Sequence, residues 1–200
     1  GRVSSMATVR SFVAIELNEP ARQALAGLQR DLQVAVPLRA VRWTDPRSIH
    51  LTLQFLGDVP LEQIPAITSA LRIVSQRVRP FAFDLAGLGA FPDRRRPRIV
   101  WVGVREASGV LAALQREVGE ALTPLGFPPE ARAFSPHVTI GRAARHAVPR
   151  DLSAVGERVT RADVGIIARV DVDHITLMRS DLRPGGSVYT AQAELGLGAA

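Results

Sequence analysis

Lysine is missing from this 200-residue chain, and so is cysteine; all 25 basic residues are arginine. Without lysine there is no lysyl–nucleotide intermediate, no P-loop lysine and no Schiff base. Any ligase activity would have to avoid the adenylated-lysine route. Without cysteine, disulfides, thiol nucleophiles and cysteine-based zinc sites are excluded. No apolar run approaches the roughly 20 residues needed to cross a bilayer. The amino terminus also lacks a basic segment followed by an apolar stretch and a cleavage site. A cytoplasmic protein without membrane attachment is expected.

What is present fits one domain or two tightly packed lobes, with 46% hydrophobic residues to build a core. Gly1–Ser5 precede Met6 and read as foreign to the fold. The expected division is a non-native leader and flexible N-terminus over 1–9, one domain over 10–196, and a frayed tail over 197–200. A net charge of +6 and a pI near 11.3 favour an anionic partner, because guanidinium pairs bidentately with phosphate. An arginine-rich composition alone would give the same balance. The one dense cluster is Arg94-Arg-Arg-Pro-Arg98, which reads as a solvated loop and as a candidate for contacting a nucleic-acid backbone.

Periodicity predicts a strand over 12–17 and a helix from Asn18-Glu-Pro20 to about Val34, closed by Pro37. A short strand over 41–43 and an alternating strand over 49–56 follow. In the latter, His50, Thr52 and Gln54 fall on one side, and Leu51, Leu53 and Phe55 on the other. Gly57-Asp58 reads as a turn and 61–78 as a second helix. Strands over 81–85 and 99–104 flank the arginine cluster, and 110–122 reads as a third helix. A strand over 137–142 is entered through Ser135-Pro136. Residues 144–165 are poorly patterned. Strands over 170–177 and 187–195 close the chain, joined by Pro184-Gly-Gly186. Strands and helices mix without strict βα alternation, so the expected class is α+β with antiparallel sheets, arranged as two lobes with a groove between them.

Three segments read His-x-Thr-aliphatic: His50-Leu-Thr52-Leu, His137-Val-Thr139-Ile and His174-Ile-Thr176-Leu. With four His and nine Thr in the chain, chance gives only about 0.2 such triplets. On a strand, each triplet puts an imidazole and a hydroxyl on one face and aliphatic groups on the other. Two such strands facing one phosphate supply what phosphodiester cleavage needs. One imidazole deprotonates the attacking oxygen, the other protonates the departing one, and hydroxyls donate to the non-bridging oxygens. The count does not say which two triplets matter. His50 and His137 each follow a proline-containing turn, which His174 does not, and the acid and base roles stay open because they exchange on reversal. Two rival readings use the same residues. One is a zinc hydrolase with His50, His137 and His174 as ligands; the other is a non-catalytic module that holds an RNA end or a cyclic nucleotide.

The chain resembles the bacterial and archaeal 2′-5′ RNA ligase, or RNA 2′,3′-cyclic phosphodiesterase, family of the 2H phosphoesterase superfamily. The resemblance runs from about Arg10 to Leu195. It is carried by Arg10-Ser-Phe-Val-Ala-Ile15, His50-Leu-Thr-Leu-Gln-Phe-Leu-Gly-Asp-Val59 and Ile99-Val-Trp-Val-Gly103. Phe134-Ser-Pro-His-Val-Thr-Ile-Gly-Arg142, Leu177-Met-Arg-Ser180 and Tyr189-Thr190 complete it. It implies a bilobal α+β fold with a pseudo-twofold and the site in the groove. It implies further that a terminal 2′,3′-cyclic phosphate is opened to a 2′-phosphate without metal or cofactor, with reversible 2′-5′ ligation in some members. His50 would be the proton donor and His137 the proton acceptor, with Thr52, Thr139 and Arg142 holding phosphate or substrate. His174 would be structural and His146 a surface residue. The implied partner is RNA with a cyclic-phosphate end, tRNA halves among the options, acted on by a monomer.

Overall fold

A computed structural model describes residues 7–198. The order of elements is β1 (Thr8–Glu16), α1 (Glu19–Ala35), β2 (Val41–Trp43), β3 (His50–Pro60), α2 (Ile64–Gln76), β4 (Phe81–Phe91) and β5 (Ile99–Arg105). Then come α3 (Val110–Leu122), β6 (His137–Ala143), α4 (Pro149–Arg161), β7 (Ile166–Val172), β8 (His174–Arg183) and β9 (Gly186–Gly196). Two sheets form, one ordered β3-β1-β8-β9 and the other β2-β6-β5-β4-β7, with every neighbouring pair antiparallel. The fold is α+β in two lobes, as expected.

The lobes repeat one arrangement. β1, α1 and β3 form one unit; β5, α3 and β6 form the other. In each, the triplet-bearing strand returns antiparallel beside the first strand. The helices reach across the boundary. α1 abuts β7, and its buried Gln29 donates through Nε2 to the carbonyls of Thr44 (2.7 Å) and Ile140 (2.9 Å) on the second-sheet side. α3 abuts β3, whose buried Gln54 donates to the carbonyls of Phe127 and Pro128 just beyond that helix. Two buried glutamines thus bring side-chain donors to backbone carbonyls between the lobes. One continuous core, from Val13 and Ile15 through Leu71, Leu114 and Val138 to Leu177, unites them.

Several expectations need correction. Gly57-Asp58 is no turn: β3 runs on to Pro60, and Gly57, at φ +72°, follows a bulge in the pairing with β1. The strand predicted over 170–177 is two strands in different sheets, broken at Asp173; which sheet each half joins is decided by its partner strands, which the local pattern does not name. Residues 149–161 form a helix in the stretch that reads as unpatterned. Its buried face is Leu152, Val155, Gly156 and Val159, so small and β-branched residues at helical spacing hid the signal. β1 begins at Thr8 with Val9 already buried, inside the expected leader. At the other end, Leu197 and Gly198 are hydrogen-bonded to Asp173, Ser75 and Val78 rather than frayed. The remainder of the leader, Gly1–Met6, and the last two residues lie outside the described residues.

Gly156 lets α4 lie directly on the arginine-rich loop: a Cβ there would stand 1.7 Å from the carbonyl oxygen of Arg94. Gly27, in α1, would meet nothing closer than an Arg30 guanidinium nitrogen at 3.8 Å. Gly156→Ala is therefore expected to destabilise by about 1–3 kcal/mol through overpacking, while Gly27→Ala stabilises by up to about 1 kcal/mol through helix propensity. Chemical denaturation of both variants checks this; equal effects at the two glycines would contradict it.

Candidate functional site

Each of the first two triplets opens a strand, and each imidazole is tethered in the same way. His50 Nδ1 lies 2.9 Å from the carbonyl oxygen of Ser48, and His137 Nδ1 lies 2.8 Å from that of Ser135. A carbonyl only accepts, so the proton of each neutral ring sits on Nδ1 and Nε2 is left to exchange protons. The turns before the strands supply these carbonyls. Pro46–Ser48 forms a single 3-10 turn in which Asp45 accepts from the Arg47 N–H at 2.9 Å. Pro136 follows Ser135 directly.

A regular strand would send the residue five beyond each histidine to the opposite face. Both strands avoid this with a bulge at the same offset. In β3, Ala14 pairs with Thr52 but Val13 with Gln54, leaving Leu53 without a partner. In β6, Trp101 pairs with Thr139 but Val100 with Gly141, leaving Ile140 without one. The extra residue re-phases the strand. Gln54 turns into the core and Phe55 out of it, 61% exposed, reversing the faces expected from simple alternation. In β6 the same shift brings Arg142 onto the face that carries His137 and Thr139. Phe55 and Arg142 are therefore counterparts, each five residues past its histidine.

Aromatic rings surround both imidazoles. His50 stacks on Phe12 (centroids 4.7 Å, 30°) and meets the edge of Tyr189 at 5.0 Å. His137 meets Phe91 edge-on at 5.2 Å and Trp101 at 6.2 Å. The chain has only seven Phe, two Trp and one Tyr, so four of its ten aromatic rings touch these two histidines. Trp101 can lie across β4 because position 89 is glycine; a Cβ there would be 2.0 Å from its ring. Sequence reasoning about acid–base groups overlooked these rings. Phe12 and Trp101 sit mid-strand beside the triplet strands, a signal that emerges only once the pairing is known.

β3 and β6 adjoin although they belong to different sheets. Arg142 is near enough for its charge to act on His50. Burial lowers the His50 pKa most and Arg142 lowers it further, while the Ser48 carbonyl and Glu16 oppose them; the net shift is downward. A cavity of about 110 Å³ adjoins His50, lined among others by Glu16, Arg22, Arg47 and Tyr189. His137 lies outside that cavity, among the rings of the second sheet. Thr52 and Thr139 are half-buried, and Arg142 and His146 are exposed.

The third triplet has a different task. Thr176 Oγ1 donates to Glu16 Oε1 at 2.7 Å, and His174 Nε2 stands 3.5 Å from the same oxygen. His174 Nδ1 meets Asp173 at 2.6 Å. Glu16 pairs across the sheet with His50, so this triplet clamps the carboxylate beside the first. Among the described residues, the donors spaced to share a metal ion are Glu16, His174 and Glu194. Neither His50 nor His137 belongs to that group, so the three histidines form no common coordination set and the three-histidine zinc reading fails. Burial would lower His174, but Asp173, Glu16 and Glu194 outweigh it and the pKa is raised.

The sequence profile of the LigT-like phosphoesterases matches this chain twice in tandem, over residues 15–101 and 102–189. The chain belongs to the LigT-like phosphoesterase family. The double match mirrors the repeated lobes. Among its relatives is an RNA 2′,3′-cyclic phosphodiesterase of Aquifex aeolicus, 30% identical over 96% of this chain and all of that protein. One from Geobacillus stearothermophilus is 39% identical over 69% of this chain, a match spanning 43% of that protein. E. coli LigT, solved in complex with 3′-AMP, superimposes with a TM-score of 0.72 at 26% identity, covering 96% of this chain and 99% of that one. No described helix is long and apolar enough to cross a membrane.

The raised His174 pKa fixes the sign of a stability effect. Its contribution is complete below the ordinary histidine value of about 6.5 and disappears as pH rises through the higher folded-state value. The difference in Tm between wild type and His174→Gln is therefore expected to be larger at pH 6 than at pH 9. A difference that does not change with pH would contradict the charged clamp.

Proposed function

We propose that the protein is an RNA 2′,3′-cyclic phosphodiesterase that opens a terminal cyclic phosphate to a 2′-phosphate by acid–base catalysis with two histidines. The observation that carries this reading is the paired tether: two imidazoles, each held at Nδ1 by a carbonyl two residues back, with both Nε2 atoms free to move protons. The names of the curated relatives support the substrate class.

In the reaction, water attacks phosphorus while His137 Nε2 takes its proton. The bond from phosphorus to the 3′ oxygen breaks, and protonated His50 supplies the proton that the oxygen needs to leave. The products are a 2′-phosphate and a 3′-hydroxyl. Thr52 and Thr139 donate to the non-bridging oxygens as they gain charge, and Arg142 holds the phosphate. The lowered pKa of His50 suits this role once substrate binds. It makes the imidazolium a stronger acid, and the incoming phosphate offsets the Arg142 charge that disfavours protonation in the free enzyme. With a 5′-hydroxyl in place of water, the same step forms a 2′-5′ linkage as the bond to the 3′ oxygen breaks; in the reversal the 3′-hydroxyl attacks that linkage, the 5′ oxygen leaves with a proton, and the cyclic phosphate is restored. The protein acts as a monomer in the cytoplasm in this reading.

Incubation of cyclic-phosphate-terminated RNA in EDTA, with mapping of the product ends, is the direct test. Wild type is expected to yield 2′-phosphate, and His50→Ala and His137→Ala each to lose about 10²–10⁴ in rate. Wild-type turnover in either variant, or a 3′-phosphate product, would overturn the assignment. Tight binding with no product would favour a binding module instead.

The pH dependence of kcat/KM, which reports the free enzyme, gives a second check. Because Glu16 raises His50 and Arg142 lowers it, the His50 limb should move to lower pH in Glu16→Gln and to higher pH in Arg142→Gln. Shifts in the same direction in both variants would refute this electrostatic account.

A further inference from the structure

The catalytic reading uses one arginine of the second lobe and leaves the others around it unexplained. Arg42 stands directly across from Arg142 on neighbouring strands. Like charges in that relation repel, and nothing offsets them. None of Arg42, Arg94, Arg95, Arg96, Arg98 or Arg142 forms an ion pair with a carboxylate among the described residues. The arginine-rich loop between β4 and β5 is attached at both ends to residues of the site. It begins one residue past Phe91, whose ring lies against His137. It ends at Ile99, which pairs with Arg142.

The loop backbone is held firmly while its side chains stay free. Asp93 accepts from the N–H groups of Arg95 (2.8 Å) and Arg96 (2.9 Å), so the one acid within the loop folds the backbone. The Arg98 N–H donates to the Phe91 carbonyl at 2.6 Å, and the Arg98 carbonyl accepts from Ala143 at 2.9 Å. Gly156 seats the Arg94 carbonyl against α4. The side chains of Arg94, Arg95, Arg96 and Arg98 are all exposed. A fixed backbone spares the cost of ordering the loop when its guanidinium groups bind a polyanion, and a polyanion would relieve the repulsion between Arg42 and Arg142.

We infer that Arg42 and the Arg94–Arg98 loop form a track for the sugar–phosphate backbone of the RNA strand that leads into the site. The inference rests on the phosphodiesterase reading for the position of the strand's end, and it goes further by naming the substrate as an oligonucleotide rather than a mononucleotide. Each phosphate neutralised on a single strand contributes about 0.7 to the slope of log K against log salt.

The test compares wild type with the triple variant Arg94→Gln, Arg95→Gln, Arg96→Gln. Both retain the backbone N–H groups that bind Asp93, and circular dichroism verifies that the variant is folded. Two substrates are used, a ten-nucleotide RNA and a dinucleotide, each ending in a cyclic phosphate. The ratio of kcat/KM for the long over the short substrate should fall at least tenfold in the variant at low salt. A loop that merely supports the fold would change both substrates alike and leave the ratio unmoved, which would overturn the track. Binding of an unreactive ten-nucleotide RNA with a 3′-hydroxyl is measured in parallel. Its salt slope should become shallower by about 2 in the variant, and an unchanged slope would also overturn the track. If wild type turns over neither substrate but the slope still shifts, the track stands and the catalytic reading falls.

Discussion

The extra residue that β3 and β6 each carry directly after the triplet threonine sets which side chains meet in the site. A strand alternates with a period of two, so His, Thr and a residue five places on cannot share a face unless the alternation slips once. Leu53 and Ile140 provide that slip in β3 and β6. The orphan backbone of the second bulge is then satisfied from outside the sheet. The Ile140 carbonyl accepts from the Thr44 N–H at 3.0 Å and from the Gln29 amide. Because Gln29 belongs to α1 of the other repeat, a helix of one lobe also braces the bulge of the other.

The two slips deliver different chemistry from the same place. Where the second lobe presents Arg142, the first presents Phe55, an exposed ring 6.0 Å from Phe12. The candidate site is therefore cationic on one side and aromatic on the other. That asymmetry distinguishes the two imidazoles more than their near-identical tethers do. His50 lies close to a half-buried clamp of acid and imidazole, whereas His137 lies against Phe91 and Trp101. A pseudo-symmetric frame thus carries an asymmetric site.

How much of this was legible depended on whether the information was local. Strand and helix identities followed from periodicity, and α3 fell within the residues expected. The triplets stood out because three rare pairs cannot accumulate by chance, and the turns before two of them marked strand mouths. The faces of Gln54 and Phe55 were not legible: a bulge is a property of the partner strand's register, and no pattern within His50–Pro60 announces it. The change of sheet at Asp173 was hidden for the same reason. α4 escaped because Val148-Pro149 and a glycine on its buried face read as loop chemistry, whereas that glycine exists to let the arginine loop approach.

The third triplet teaches the most about reading residues without their neighbours. On its strand it has the same pattern as the other two, and it even shares a sheet with the first. What separates it is the group in front of it. His174 and Thr176 face a carboxylate, whereas among the described residues His50 and His137 are hydrogen-bonded through Nδ1. Asp173 and Glu16, on either side of the His174 ring, favour its charged form. The difference between the third triplet and the other two therefore lies in the group opposite Nε2, and Glu16, contributed by β1 some 160 positions away along the chain, is what sets it apart.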